Sequence, residues 1–252
     1  MLEGQFTLPI QIELVATLLF ALTGALQALN RGYDVIGLFA LAFVTGVGGG
    51  LIRDGLFIQQ GPPVVTSDSR YILMVMLAGF VTLLFRGRVI GMNRVAAWVD
   101  ALGVRAPHLR ERIIWFNKVI AWLDALGLGA YAVVGVQKSL NAGLSVAAAV
   151  LVGVINAAGG GLLRDVLVRD EPLLFKPGQF YVLAAFVGCL LFPLLALYFR
   201  MDATLAALIA IGTTFVLRAL AIQFNWVSPS LLRQQGPDPA TDPVRNSTPP
   251  GS

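Results

Sequence analysis

The chain has 252 residues, 57% hydrophobic and 13% charged, with a mean hydropathy of +0.77 and a formal net charge of +4. Such a composition marks a polytopic membrane protein, and so small a net charge gives no support to nucleic-acid binding. A single cysteine, Cys189, and a single histidine, His108, exclude a disulfide framework, a thiolate cluster and a histidine-based metal site, so no metal and no cofactor is expected.

Taken from the start, residues 1–9 carry Glu3 and no lysine or arginine, so they lack the basic region of a cleaved signal peptide. Seven apolar segments follow, each near the roughly 20 residues that cross a bilayer. They are Ile10–Leu29, Val35–Ile58, Tyr71–Phe85, Val119–Gln137, Leu144–Val168, Phe180–Phe199 and Ala203–Phe224. The third is short, and the side chains of Arg70 and Arg86 extend it by snorkelling. Residues 228–252 are rich in proline and polar residues, with little to bury, and are expected to be disordered.

An internal repeat organises these segments. Gly48-Gly49-Gly50-Leu51-Ile52-Arg53-Asp54 returns 111 positions later as Gly159-Gly160-Gly161-Leu162-Leu163-Arg164-Asp165. At the same offset Glu13 meets Asp124, Gly24 meets Gly135, Asn30 meets Asn141 and Gly32 meets Gly143; after a one-residue deletion Pro62 meets Pro172 and Tyr71 meets Tyr181. Each unit holds three spans, an odd number, so the second enters the membrane from the opposite side. The expected fold is therefore an all-α polytopic membrane protein of seven transmembrane helices, two inverted three-helix repeats plus a seventh helix. The first repeat covers 10–86, the second 119–199, and the seventh helix 203–225. Inverted repeats are a common transporter design, with the site near the midplane between halves.

The connection at 87–118 is basic and carries a local duplication: residues 93–104 resemble residues 117–128. Arg105, Pro107, His108 and Arg110 keep the first copy from spanning, and it reads as a partly amphipathic surface segment, drawn to anionic headgroups or simply a tolerated insertion. Placing this connection in the cytoplasm puts twelve lysines and arginines inside against three outside, Arg70, Lys138 and Arg200. The expected orientation has the N-terminus outside and the C-terminus cytoplasmic.

The doubled motif is the candidate site. Ala42, Gly46, Gly49, Gly50 and Arg53 fall on one face of the second span, and Gly153, Ala157, Gly160, Gly161 and Arg164 on one face of the fifth. Small residues at this spacing let helices approach closely. Two readings stand open: a packing seam, or glycines that bend or unwind the helix and turn carbonyl oxygens towards a cation path. Arg53 and Asp54 are adjacent, as are Arg164 and Asp165, and adjacent residues do not face each other on a helix. Pairing across the repeats is expected, Arg53 with Asp165 and Arg164 with Asp54; the alternative is that all four snorkel to water from the span ends. An arginine so placed is either a neutralised latch or a moving gate.

Glu13 and Asp124 each begin a span, where they complement the helix dipole or form acidic mouths that concentrate cations. Lys138, the counterpart of Gln27, is expected to snorkel. Thr45 and Asn156 align inside the second and fifth spans and are candidates to offer side-chain oxygens to the path. Arg218 either pairs with a neighbouring subunit or reaches the cytoplasmic surface.

The paired GGG-L-x-R-D motifs, Phe20-Ala21-Leu22-Thr23-Gly24-Ala25 and Leu123-Asp124-Ala125-Leu126-Gly127-Leu128 resemble the prokaryotic trimeric intracellular cation (TRIC) channel family, which also carries the label of glycine transporter domain. The resemblance covers about residues 10–225. It implies a homotrimer in the lipid bilayer of the inner membrane, one pore per protomer, and passive flux of monovalent cations, chiefly potassium. On this reading the pore is lined around the kinked second and fifth helices; the alternative is a secondary transporter of a small amino acid such as glycine, its zwitterion held by paired arginine and aspartate. An enzyme is not expected, since there is no nucleotide loop, metal set or nucleophile–base pair.

Overall fold

The computed structural model describes residues 6–101, 107–175, 180–224 and 226. Eight helices carry them: α1 (Ile10–Asn30), α2 (Val35–Ile52), the short α3 (Val64–Ser67), α4 (Ser69–Ala101), α5 (Pro107–Asn141), α6 (Val146–Leu167), α7 (Tyr181–Pro193) and α8 (Ala203–Gln223). Helix α2 continues through a wider, π-helical turn at Arg53–Ile58, and α7 through another at Leu194–Tyr198. Seven stretches are long and apolar enough to cross a membrane: Ile10–Asn30, Val35–Ile58, Ser69–Gly87, Asn117–Asn141, Val146–Leu167, Tyr181–Tyr198 and Ala203–Gln223. The expected seven-span architecture stands.

The repeat is written into the turns as well as the helices. Gly32 and Gly143, 111 residues apart, both take positive φ, 72° and 86°, just before the second helix of each unit. That helix then starts on a side-chain cap in both units. The Asp34 carboxylate accepts from Gly37 N at 2.7 Å, and the Ser145 hydroxyl accepts from Ala148 N at 3.3 Å. Both caps relieve an otherwise unsatisfied backbone donor in the first turn. At the far end Gln59 and Arg169 both adopt left-handed backbone, φ 51° and 59°.

Side-chain contacts fix the directions of the helices. The start of α1, at Glu13, meets Arg53 at the end of α2 and Lys138 at the end of α5. The end of α1 meets the far end of α6, where Gln27 donates to Asp170 at 3.0 Å and Arg31 pairs with the same carboxylate. Helices α2 and α6 therefore run antiparallel and carry their Arg-Asp motifs to opposite ends of the bundle, as an inverted repeat requires.

Two apolar cores flank the α2/α6 crossing. One joins Leu38, Leu41, Val75 and Ala78 of the first unit; the other joins Leu128, Val133, Val136, Phe192 and Ala207 of the second unit and α8. Large apolar side chains face outward, among them Ile36, Leu84 and Tyr198, as suits a surface solvated by lipid.

The basic connection differs from the expected separate surface segment. Helix α4 does not stop near Phe85 but runs to Ala101, and α5 begins at Pro107 rather than Val119, so two long helices share the connection between them. Charge ended the apolar run, but it does not end a helix. Proline at the first helical position, where its missing N–H is not needed, suits the start of α5. The tail at 228–252 lies outside the described residues.

Candidate functional site

The glycines come first, because they set the distance between α2 and α6. A Cβ on Gly49 would stand 2.1 Å from the backbone oxygen of Asn156, and one on Gly160 would stand 2.3 Å from that of Thr45. These contacts are images of each other under the repeat. Gly48 packs on Leu163, and Gly159 on Ile52 and Gly49. A Cβ on Gly50 would meet only the Arg53 guanidinium, 3.8 Å away, whereas one on Gly161 would meet the Tyr181 hydroxyl at 2.9 Å as well as the Arg164 guanidinium at 3.8 Å. The expected unwinding does not occur: α2 is α-helical through Gly50 and α6 through Gly161, and winding changes only at Arg53 in α2. The carbonyls beside the glycines are covered by the facing helix rather than freed, because a missing side chain lets the neighbour close in.

Arg53 is 1% exposed. Its Nε donates to Asp54 Oδ1 at 2.6 Å and its Nη2 to Asp54 Oδ2 at 3.0 Å and Glu13 Oε1 at 3.2 Å. Its Nη1 reaches Asn156 Oδ1 at 3.5 Å. Lys138 Nζ closes the cluster on Glu13 Oε2 at 2.7 Å, and Val64 N donates to Asp54 Oδ2 at 3.1 Å. Two carboxylates thus balance two cations at one end of the bundle.

The second cluster repeats the pattern. Arg164 donates through Nε to Asp165 Oδ1 at 2.9 Å and through Nη1 to Asp124 Oδ1 at 2.9 Å and Thr23 Oγ1 at 3.0 Å. Leu173 N donates to Asp165 Oδ2 at 3.0 Å, as Val64 does to Asp54. Where the first cluster takes Lys138, the second takes Arg218 of α8, which is 1% exposed and stacks 4.9 Å over the Tyr181 ring.

Several expectations change. Arg53 and Arg164 bond their adjacent aspartates and a carboxylate of their own repeat, not the aspartate of the other repeat, and none of the four motif charges snorkels to water. The long arginine chain curls back to its neighbour, which Cβ directions alone do not reveal. Glu13 and Asp124 are buried as arginine partners rather than displayed as open acidic mouths. Lys138 turns inward to Glu13, and Arg218 stays within the protomer. Asn156 does face Arg53, with its amide nitrogen held by Tyr131 O at 2.6 Å, whereas the Thr45 hydroxyl is committed to Leu41 O at 2.6 Å.

Sequence reasoning missed the tyrosines. The Tyr131 hydroxyl donates to Gly46 O and lies 2.6 Å from Thr17 Oγ1, which bonds Glu13 O at 2.9 Å. Tyr71 and Tyr181 stand beside the first and second clusters. The signal was present, since those two matched in the repeat.

Each cluster closes the inner end of a cavity. One, of about 280 Å³, is lined by Asp54, Gln60, Lys138 and Asn141; the other, of about 200 Å³, by Gln27, Asp124, Arg164, Asp165, Asp170 and Glu171. Behind Asp54 a further space of about 10 Å³ lies among Glu13, Arg53, Tyr71 and Tyr131, room for about one water. The arrangement is a pair of polar mouths at opposite ends, one stopped by Asp54 and Lys138 with Arg53 behind them, the other by Arg164 between its carboxylates.

Comparison with known proteins matches this architecture. The family model described as "Glycine transporter" matches residues 10–87 and 121–197, the two repeats. The chain belongs to that family. The family name is a label and by itself assigns no activity to this chain. UPF0126 inner membrane protein YadS of Escherichia coli (strain K12) is 29% identical over 223 residues, covering 87% of this chain and 94% of the relative. A UPF0126 membrane protein of Vibrio cholerae is 30% identical over 223 residues, covering 87% and 81%. Among solved structures, the TRIC trimeric intracellular cation channel orthologue from Rhodobacter sphaeroides is 29% identical with a TM-score of 0.69, covering 85% of this chain and 97% of that one. A TRIC cation channel from work on conductance is 25% identical with a TM-score of 0.72, covering 91% and 100%. The resemblance drawn from the GGG-L-x-R-D motifs is therefore upheld.

Proposed function

We propose that the chain is a monovalent-cation channel, chiefly for potassium, with a conduction path in each protomer beside α2 and α6. The carrying observation is the pair of cavities at opposite ends of the bundle, one ending on Asp54 and Lys138 in front of Arg53, the other on Arg164 with Asp124 and Asp165, each arginine neutralised by two carboxylates. A lone buried arginine would repel a cation; one tied to two carboxylates leaves the path without excess positive charge. Opening then needs only that the guanidinium side chains shift within their carboxylate pairs, since both mouths are already formed. Gly50 leaves space beside the Arg53 guanidinium for that shift. The likeness to TRIC cation channels supports the same reading, and with it assembly as a homotrimer.

On this reading the chain sits in the inner membrane with its N-terminus outside, so the Lys138 mouth faces out and the Asp124 mouth faces the cytoplasm, in line with the excess of lysine and arginine on that side. The test is flux through purified protein in liposomes. Potassium efflux without coupled uptake of radiolabelled glycine is the expected result; saturable glycine uptake without potassium conductance would replace the channel with a transporter.

A further inference from the structure

We infer that the buried hydroxyls of Tyr71 and Tyr181 are reserve hydrogen-bond donors, placed to take over the Glu13 and Asp124 carboxylates when Arg53 and Arg164 swing off them; this rests on the channel reading, in which those arginines shift.

The two tyrosines are mates in the repeat, and each occupies the same place in its own cluster. Tyr71 is 3% exposed and Tyr181 4%. Tyr71 shares a space of about 10 Å³ with Glu13, Gly50 and Arg53. The Tyr181 hydroxyl lies 2.9 Å from where a Cβ on Gly161 would stand, beside the Arg164 guanidinium. Of the charged groups around them, Glu13 bears most strongly on Tyr71, and Asp124 on Tyr181. Neither hydroxyl, however, makes a hydrogen bond of ordinary geometry among the described residues.

A buried donor without an acceptor is costly, and chance packing explains two of them at equivalent positions poorly. The acceptor side agrees. Asp124 Oδ1 is bonded by Arg164, but among the described residues Asp124 Oδ2 has no partner, so one buried cluster leaves over both a donor and an acceptor. Arg53 and Arg164 also hold their adjacent aspartates, so each can leave Glu13 or Asp124 and stay neutralised by its neighbour. The carboxylate left behind then needs a donor, because an unmatched charge at depth is expensive. A tyrosine O–H gives a carboxylate a short, charge-assisted bond. Tyr131 is not free to do so, since its hydroxyl already donates to Gly46 O.

Tyr71→Phe and Tyr181→Phe each delete one oxygen and keep the ring. In single channels in planar bilayers, in symmetric potassium chloride, each should lower the ratio of open to closed time by about tenfold or more, the scale of one hydrogen bond to a charged group. Thermal unfolding in detergent separates this from a structural role. Both variants should melt at the wild-type temperature or above it, because the closed state loses only an unsatisfied donor. In an Arg53→Gln background, where Glu13 is already released, Tyr71→Phe should instead lower the melting temperature by about 3–12 °C. An unchanged opening ratio overturns the proposal. So does a melting temperature lowered by Tyr71→Phe alone, or the same response in both backgrounds. Absence of any potassium current sinks the channel reading, while the melting comparison still judges the hydroxyls; if Arg53→Gln does not fold, the opening ratio judges them.

Discussion

Arg53 is bonded by Glu13, 40 residues earlier in its own repeat, and Arg164 is bonded by Asp124 at the same separation in the other. Each motif arginine therefore finds its two carboxylates within its own half. The halves are tied by other contacts: Lys138 on Glu13, Arg31 on Asp170, Arg164 on Thr23 and Arg53 on Asn156.

Coupling energies should follow that division. Glu13→Gln or Arg53→Gln alone should cost about 3–5 kcal/mol, the range for stranding one member of a buried pair, and the double variant should recover part of the loss. Asp124→Asn with Arg164→Gln should behave alike. Arg53→Gln with Asp165→Asn should add within about 0.5 kcal/mol, as unconnected sites do. Thermal unfolding in detergent reads all three cycles, and strong coupling in the last would refute the assignment.

At the crossing, Gly49→Ala and Gly160→Ala force a methyl into a main-chain oxygen and should each destabilise by about 1–3 kcal/mol, as overpacking does. Gly50→Ala meets only a guanidinium at ordinary contact distance and should be neutral or slightly stabilising, since alanine favours a helix. Potassium flux and melting temperature measured on the three variants check the contrast. Equal effects at all three positions would mean that the glycines serve something other than close approach.

Capping offers a quieter test of the repeat. Asp34→Ala and Ser145→Ala each remove the side chain that starts the second helix of a unit, and each should cost about 0.5–2 kcal/mol. Hydrogen exchange localised to the first turns of α2 and α6 would show the fraying directly.

Orientation can be read with cysteine labelling in a Cys189→Ser background. Gln60→Cys, at the Lys138 mouth, should react with a membrane-impermeant maleimide in intact cells, and Glu111→Cys should react only after lysis. Both positions are exposed and lie towards opposite ends of the bundle. The reverse pattern would invert the topology.

The spans and the inverted repeat were legible in the sequence because apolar runs and an offset of 111 survive in one dimension. The same holds for the close approach of the glycine faces. Arginine partners were not legible: the expected pairing across the repeats relied on the directions in which Arg53 and Asp54 leave the helix, while a side chain of that length folds back on its neighbour. The limits of α4 and α5 were hidden for a different reason. Hydropathy reports where a helix leaves lipid, at about Gly87, and not where it ends, at Ala101. Arg218 lacked a counterpart in the repeat, so nothing in the pattern tied it to Tyr181.

The crossing of α2 and α6 also constrains how this chain can change. Gly49 and Gly160 each abut a peptide oxygen of the other half, and no codon alters a peptide oxygen. A bulkier residue at either position cannot be rescued by trimming the atom it strikes. Suppressors of Gly49→Ala should therefore be scattered through the residues that set the separation of the two helices, and a compensating change at Asn156 itself should not be found among them.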